Sequence, residues 1–419
     1  MTKELSKKPW LLWVLVNLFF AFQFILRLSP GILRDEIIQR FSVDTSSFGT
    51  LAGYYYIGYA ASQIPIGIML DYLRFRIVIS VSIALTTIGT LIFVTTNNWE
   101  LLLLSRFLIG VGSGAGILSV VKVTKTCFDE KYHSLLIGFS FTFGLTGAVF
   151  GVAPMKMLFD QFGYDNTFNM LAFISFILAA ATLIFGNIKV NTETSNKKMA
   201  DVYKSVIRLI LNPTILLIGI SGGLMVGALE GFADVWAIPF FNQAFNMSNT
   251  ESSVVTSFVY IGMCFGAPIL AILANLFRST NITISLTGVF TILIFMILFY
   301  LPALSPTLTA CLMFFLGILC CYQALVFTIV GNQVPPSSAS LAIAITNCIN
   351  MSFGHFFHTM IASTLKNSWN GQLSDSGTEL YSMDNLIYSL AIIPICCFIG
   401  QLGFVFLAMR KGGAKTNSL

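Results

Sequence analysis

Three ionisable side chains lie inside long apolar stretches of this sequence, where an ion needs a partner. Arg27 falls in AFQFILRLSPG, and Glu230 and Asp234 lie four residues apart in GALEGFADVWAIPFF. A guanidinium binds a carboxylate through two parallel hydrogen bonds, and a desolvated carboxylate holds an amino group or carries a proton. The three residues together predict a site for a zwitterion, with an internal salt bridge that only gates as the alternative.

Further polar residues are candidates for the same site. Tyr55, Tyr59 and Gln63 recur at a spacing of four and so share one helix face, and Trp236 follows Asp234 closely. Tyrosines on such a face either line a cavity or pack against neighbours. We take Tyr55, Tyr59 and Trp236 as candidate binding residues.

Two histidines, His355 and His358, share a face of the run NCINMSFGHFFH. Two histidines alone make a poor metal site, and the sequence contains no HExxH motif, so neither a metal nor a cofactor is expected. Because histidine titrates near neutral pH, a proton relay through this pair is one hypothesis and helix packing is the other.

The composition indicates what must position these residues. Of 419 residues, 56% are hydrophobic and only 10% are charged, whereas a soluble domain carries roughly 25% charged residues. Runs of about 20 apolar residues predict membrane-spanning helices. Twelve runs occur, near residues 10–33, 46–70, 76–96, 101–121, 134–158, 165–187, 213–241, 253–276, 281–301, 306–330, 339–363 and 385–409.

The distribution of Lys and Arg predicts the orientation of the chain. With the N-terminus in the cytoplasm, 17 of these residues lie on the cytoplasmic side and 4 on the outer side, and Arg27 and Arg106 fall within spans. By the positive-inside rule both termini are cytoplasmic. The net charge of +5 is therefore a topology signal, and no nucleic-acid partner is expected. The eight cysteines lack CxxC spacing and are interpreted as packing residues.

An internal repeat divides the chain into halves. Tyr56, Ile57 and Gly58 match Tyr260, Ile261 and Gly262 at a constant offset of 204 residues. The polar, lysine-bearing stretch between the halves predicts a linker. We expect an all-α polytopic membrane protein with twelve transmembrane helices in two pseudo-symmetric six-helix bundles. The predicted boundaries are 1–188 for the first bundle, 189–207 for a cytoplasmic loop and 208–419 for the second bundle.

Two motifs resemble signatures of the major facilitator superfamily. In GIMLDYLRFR, residues 67–76, Gly67 and Asp71 stand in the places of the family's loop between helices two and three, followed by basic residues. Arg74 replaces the usual second glycine of that loop. The resemblance implies that Asp71, Arg74 and Arg76 take part in gating.

The second motif is SRFLIGVGSGAG, residues 105–116, which resembles the helix-four signature of an arginine followed by glycines. Arg106 is an intramembrane charge and hence a candidate substrate ligand, with hydrogen bonding to backbone carbonyls as the alternative. Together with LRLSPG and SVVKVTKTCF, the N-terminal half is similar to a narrower branch. That branch includes intraphagosomal amino-acid transporters of proteobacteria and lysosomal dipeptide transporters, and the similarity makes Lys122 a candidate ligand.

The expected activity is secondary active transport across the inner membrane by alternating access. The sequence contains no Walker A motif, so drive by ATP within this chain is not expected. The zwitterion hypothesis and the resemblance favour proton-coupled uptake of an amino acid by a monomer. Transport of a small peptide, a nucleoside or a carboxylate siderophore is the alternative. A non-transporting receptor and a membrane-embedded enzyme are the competing classes, and GxSxG is absent; we expect no enzyme.

Overall fold

The computed structural model describes residues 7–187, 199–301, 304–373 and 379–416, and these ranges are almost wholly helical. The helices before the central loop are α1 (Lys7–Ile32), α2 (Arg34–Phe41), α3 (Thr45–Tyr72), α4 (Phe75–Thr95), α5 (Trp99–Ser113), α6 (Ala115–Cys127), α7 (His133–Phe150) and α8 (Ala153–Phe185). Those after it are α9 (Met199–Ile210), α10 (Pro213–Met225), α11 (Ala237–Phe245), α12 (Asn249–Leu276), α13 (Thr280–Tyr300), α14 (Pro306–Cys320), α15 (Tyr322–Gly331), α16 (Pro336–Ser368), α17 (Met383–Leu390) and α18 (Ile392–Thr416). A π-helix, Gly227–Trp236, joins α10 to α11.

The helices account for all twelve predicted spans. Ten helical segments in the described ranges are long and apolar enough to cross a membrane. The 28-residue α3 and the 33-residue α16 cover the two other predicted runs. Within α8, Gly163 has φ 77° and ψ 171°, so this element is two helices joined by a turn. A positive φ suits glycine, which lacks a Cβ, and the turn separates predicted spans five and six.

The helices group into two compact units. The described residues of 1–29 and 54–203 form one unit, and those of 30–53 and 204–419 form the second. The domain boundaries expected from sequence remain predictions. In the first unit α4 packs against α5 and α8, and Ser175 of α8 hydrogen-bonds to Thr86 and Thr87 of α4, each at 2.8 Å. In the second unit α12 packs on α14, and α10 packs on α16 and α18.

Each unit repeats one backbone contact between its second and fourth spans. A methyl group at Gly110 would overlap the carbonyl of Tyr55, and a methyl group at Gly317 would overlap the carbonyl of Val259. Gly110 and Gly317 are 207 residues apart, and Tyr55 and Val259 are 204 apart. Small residues let membrane helices approach this closely. The repeated contact supports the duplication that the sequence predicts.

The fourth span is interrupted at the same point in each unit. Gly114 separates α5 from α6, and Cys321 separates α14 from α15. These two positions again differ by 207 residues. In the first unit the Gln63 side chain donates to the Gly114 carbonyl at 2.9 Å. Gln63 thereby supports the break in the helix, a role that its position on the tyrosine face of α3 does not predict.

Candidate functional site

Arg106 of α5 is anchored to the main chain of α1. The side chain is 2% exposed, and its Nη1 and Nη2 donate to the carbonyls of Leu26 and Arg27 at 2.8 and 3.2 Å. Pro30 lies inside α1 and has no N–H, so the Leu26 carbonyl four residues earlier loses its helical donor. Arg106 supplies the missing donor. These contacts indicate that Arg106 positions α1.

Arg27, the first ion identified in the sequence, lies over an aromatic ring. Its guanidinium carbon is 5.1 Å from the centroid of Tyr56 and 5.7 Å from that of Phe24. The side chain is half-buried. A cation within about 6 Å of a ring is attracted to the ring's electron-rich face. Tyr56 therefore stabilises a cation at this depth in the first unit.

The tyrosines of α3 are buried and packed together. The Tyr55 hydroxyl donates to Oε1 of the buried Gln23 at 2.7 Å, and the Arg106 guanidinium carbon lies 5.0 Å from the Tyr55 ring. Tyr59 is 8% exposed, with its ring centroid 6.0 Å from that of Tyr55. The structure thus brings Tyr55, Arg106 and Arg27 together around one turn of α1.

The other candidates in the first unit lie elsewhere on the chain. Lys122 is half-buried on α6. Arg74 is exposed at the start of α4, and the half-buried Arg76 packs near Gly186. The side chain of Asp71 lies outside the described residues. The gating role of Asp71, Arg74 and Arg76 stays a prediction.

In the second unit both candidate carboxylates lie in the π-helix. Glu230 is 1% exposed and Asp234 is 6% exposed. The π-helix is rare and is frequently found at functional sites. Ionisable groups buried in a membrane span are functional candidates by default. The local geometry therefore agrees with the choice of these two residues.

A tyrosine also holds the charge in this unit. The Tyr260 hydroxyl donates to Oδ1 of Asp234 at 2.7 Å, and Tyr260 is 2% exposed. Tyr260 occupies the position that Tyr56 has in the first unit, 204 residues earlier. Equivalent tyrosines thus contact opposite charges, a cation through the ring in one unit and an anion through the hydroxyl in the other.

Trp236 ends the π-helix and is 1% exposed. The Arg34 guanidinium carbon lies 5.8 Å from its ring centroid. The Trp236 ring is therefore packed against the connection between the first two spans. A direct contact between Trp236 and substrate stays a prediction.

The two histidines differ in their surroundings. His355 is half-buried, and a side chain at Gly53 would overlap its Nδ1, whereas His358 is 1% exposed. Among the described residues no group of three or more His, Cys, Asp or Glu could hold a metal ion. Their role in proton transfer stays a prediction.

A cluster of charges that the sequence did not indicate joins the start of α3 to the end of α16. Lys366 forms ion pairs with Glu379 and, at 3.6 Å, with Asp44. Glu379 also accepts from the Thr45 N–H at 3.2 Å and from the Tyr381 hydroxyl. We call these residues, Asp44, Thr45, Lys366, Glu379 and Tyr381, the connection cluster. It ties the α2–α3 connection to the end of α16 and to the α16–α17 connection.

The connection cluster shifts the pKa values of two groups outside the spans. Burial acts to raise the pKa of Glu379, but hydrogen bonds from Lys366, Tyr381 and Thr45 outweigh it, so this pKa lies below the ordinary value. Burial and the Glu379 carboxylate raise the pKa of the Tyr381 hydroxyl. Glu379 is consequently ionised at neutral pH and holds the cluster together.

Several of these partners gave little signal in the sequence. Gln23 lies one helical turn before Arg27, and Tyr260 is the repeat of Tyr56, so spacing and the 204 offset could have identified both. The connection cluster joins residues up to 334 positions apart, which no local pattern reveals. The predicted meeting of Arg27 with Glu230 or Asp234 stays a prediction.

Comparison with known proteins identifies the family. The model of the Major Facilitator Superfamily matches residues 11–358. The chain belongs to this superfamily. It therefore has the all-α, polytopic membrane fold expected from sequence, and the twelve spans predicted from sequence are consistent with that fold.

Solved structures of the superfamily share this architecture. A bacterial homologue of the human lysosomal transporter Spinster, in an inward-facing and unoccupied conformation, superposes with a TM-score of 0.74 at 15% identity, covering 96% of this chain and 98% of that one. The nucleoside transporter NupG superposes with a TM-score of 0.73 at 15% identity, covering 94% and 99%. At this identity the likeness shows the fold alone.

Two curated relatives match parts of this chain. A TsgA homologue of Buchnera aphidicola is 22% identical over 311 residues, which cover 74% of this chain and 76% of the relative. An MFS-type transporter of Gibberella zeae is 28% identical over 176 residues, which cover 42% of this chain and 36% of that protein. The chain thus spans about a third of the fungal relative. This superfamily member is a multi-pass membrane transporter.

Proposed function

We propose that this transporter takes up a zwitterionic amino acid together with protons by alternating access. The observation that carries the proposal is the pair of opposite charges at equivalent tyrosines. Arg27 lies over Tyr56, and Asp234 accepts from Tyr260. A zwitterion needs one group of each sign. We further propose that the protein lies in the inner membrane with both termini in the cytoplasm.

The cation of the proposed site is Arg27. A guanidinium carries five N–H donors in a planar fork that matches a carboxylate through two parallel hydrogen bonds. Arg27 is half-buried, whereas the side chain of Arg106 is only 2% exposed. We propose that Arg27 binds the substrate carboxylate and that Arg106 supports α1, the helix that carries Arg27.

The anions of the proposed site are Glu230 and Asp234. The hydrogen bond from Tyr260 orients the Asp234 carboxylate. Glu230 lies four residues before Asp234 in the same π-helix and is 1% exposed. We propose that Asp234 binds the substrate amino group and that Glu230 carries the coupled proton. The alternative to be tested is that the two carboxylates have the opposite roles.

The contacts of Arg106 bear on the alternative substrates. A carboxylate siderophore would need several cations, for which the sequence offers Arg27, Arg106 and Lys122. Arg106 directs two of its nitrogens to main-chain carbonyls. This use of Arg106 favours a substrate with a single carboxylate over a polycarboxylate.

The test is uptake of a panel of radiolabelled amino acids by cells that express the wild type or Arg27→Ala, with and without a protonophore. Arg106 donates to the main-chain carbonyl of Arg27, and Arg27→Ala keeps this acceptor, so the variant should reach the membrane. The matched control is Arg40→Ala, which removes an exposed arginine outside the spans. Dipeptides and nucleosides complete the panel.

The expected result is entry of one amino acid that both Arg27→Ala and the protonophore abolish, and that Arg40→Ala leaves unchanged. Entry of an amino acid that is insensitive to the protonophore would overturn the coupling. Entry of only a dipeptide or a nucleoside would overturn the substrate assignment and leave the transporter itself established.

A further inference from the structure

An apolar groove lies on the surface of the first unit between α3, α4 and α5. Its volume is about 450 Å³. Met69 and Leu73 of α3 form one wall, Ile77 and Val81 of α4 form the other, and Phe107 of α5 lies between them. The four wall residues are 44–54% exposed. The groove is thus open to the surroundings of the spans.

The chemistry of the lining excludes a polar ligand. Ser62 and Ser82 are the polar side chains among its described lining residues. Their hydroxyls donate to the carbonyls of Tyr59 and Val78 of their own helices, each at 2.9 Å. A hydroxyl that donates to its own helix offers no proton to a ligand. The ligand that fits this groove is a hydrocarbon chain.

A cation stands at the end of the groove next to the turn between α3 and α4. Arg74 is exposed and precedes Ile77, Val78 and Val81 by three, four and seven residues, so it lies on the same face of α4 as the groove. Arg74 is also the cap residue of α4, and its side chain makes no capping hydrogen bond. The N-terminus of a helix favours an anion, as does an arginine. An apolar groove that ends at this cation fits an anionic lipid.

The second unit carries a larger side chain at one position of this surface. Phe265 stands where the first unit has Ala61, 204 residues earlier, and its ring centroid is 6.2 Å from that of Phe314, the counterpart of Phe107. Arg278 stands where the first unit has Arg74. The duplicated chain therefore retains the cation in both units but places a large side chain at the groove position in only one.

We propose that the groove binds one acyl chain of an anionic phospholipid, with the lipid phosphate at Arg74. This lipid remains with the protein when the surrounding bilayer is removed. Ala61 makes room for the chain, and Arg74 selects the charge of the headgroup. The proposal rests on the fold of the first unit and is independent of the transported substrate.

The test uses the full-length protein purified in a mild detergent and incubated with an equimolar mixture of phosphatidylglycerol and phosphatidylcholine. Native mass spectrometry then counts the lipids retained. We expect the wild type to retain one phosphatidylglycerol in preference to phosphatidylcholine. Ala61→Phe copies the second unit and should lower retention about tenfold, because it displaces several methylene contacts. Arg74→Gln should retain lipid but lose the preference.

Two controls keep these outcomes interpretable. Ala271→Phe adds the same side chain at an exposed position of α12 and should leave retention unchanged. Val81→Phe fills the groove from α4, so that a folding defect of Ala61→Phe does not decide the result. The proposal is overturned if the wild type retains no lipid, if both filling variants retain as much as the wild type, or if Arg74→Gln keeps the preference for phosphatidylglycerol.

Discussion

The two halves of this transporter place the same residue at the same position and use it in different ways. Tyr56 presents its ring to the Arg27 cation, whereas Tyr260 presents its hydroxyl to the Asp234 carboxylate. The scaffold of each half has changed little, since Gly110 and Gly317 make the same backbone contact. The two halves thus share their helix packing and differ in the sign of the charge that the equivalent tyrosine contacts.

The fourth span shows the same divergence in its supporting residue. Arg106, which supplies a donor to the Leu26 carbonyl, is replaced in the second half by the buried Met313, at an offset of 207. The second half has a π-helix at the level of its charges. In the first half, a side chain of the neighbouring helix α5 therefore compensates for the lost hydrogen bond of α1. In the second half, the hydrogen bonding within the helix itself is different.

The largest expected effect comes from making the first half resemble the second at this position. Arg106→Met leaves the Leu26 carbonyl buried without its donor, so we expect the free energy of unfolding in detergent to fall by at least about 2 kcal/mol and uptake to be lost. Chemical denaturation of the purified protein measures the change. Arg27→Met is the control, because the main-chain acceptors of Arg106 remain. Equal stability of the two variants would contradict the anchoring role.

The second prediction separates the two tyrosines. Tyr260→Phe removes a hydrogen bond to a carboxylate, worth roughly 1.5 kcal/mol or more, and we expect KM for the substrate to rise about tenfold. Tyr56→Phe keeps the ring that faces Arg27, and we expect KM to change less than about threefold. Initial rates of uptake at varied substrate concentration measure both. The comparison of the halves fails if Tyr56→Phe is the more damaging variant.

A third prediction concerns the pH dependence of the connection cluster in the second half. Because the pKa of Glu379 is lowered in the folded protein, its contribution to stability is present above the ordinary glutamate pKa of about 4.3 and is lost as the pH falls through the lowered value. The difference in Tm between the wild type and Glu379→Gln should be constant from about pH 8 to 5 and shrink at lower pH.

Thermal unfolding in detergent over this pH range measures the difference in Tm. Glu100→Gln, at an exposed position, is the control and should show a smaller difference. If the stabilisation by Glu379 disappears between pH 7 and 6, another titrating group controls the cluster.

The smallest expected effect concerns the surface of the second half. Phe265→Ala places at this position the residue that Ala61 provides in the first half, on the helix that leads to Arg278. Because Phe265 is 55% exposed, we expect Tm to change by only a few degrees and the number of retained phosphatidylglycerol molecules to rise from one to two. Native mass spectrometry counts them. Unchanged retention would show that the open position alone does not make a lipid site.

The fold was largely predictable because its signals are local. Hydropathy locates the twelve spans, since each must be apolar over the thickness of the membrane, and the repeat offset of 204 leads from Tyr56 to Tyr260. Arg27, Glu230 and Asp234 could be chosen because any ion in a span is conspicuous. The hydrogen bonds of Arg106 were one of two stated alternatives, and Pro30 is the residue that explains them.

The rest depends on contacts between distant residues. Lys366, Glu379 and Asp44 look like ordinary charges of the connections, and only the folded chain brings them together. The π-helix at Gly227–Trp236 was not predicted, because hydropathy locates a span without showing which hydrogen bonds its turns make. The groove beside Arg74 arises from a small residue, Ala61, whose significance appears only against Phe265.

The hydrogen bonds of Arg106 have a consequence for how this transporter could change its cargo. Their acceptors are main-chain oxygens of residues 26 and 27, and every amino acid carries such an oxygen. The side chain at position 27 is therefore open to substitution without loss of the anchor that shapes α1. A single substitution at position 27 can therefore change the charge at the site that we propose for the substrate, while the helix that carries it stays in place.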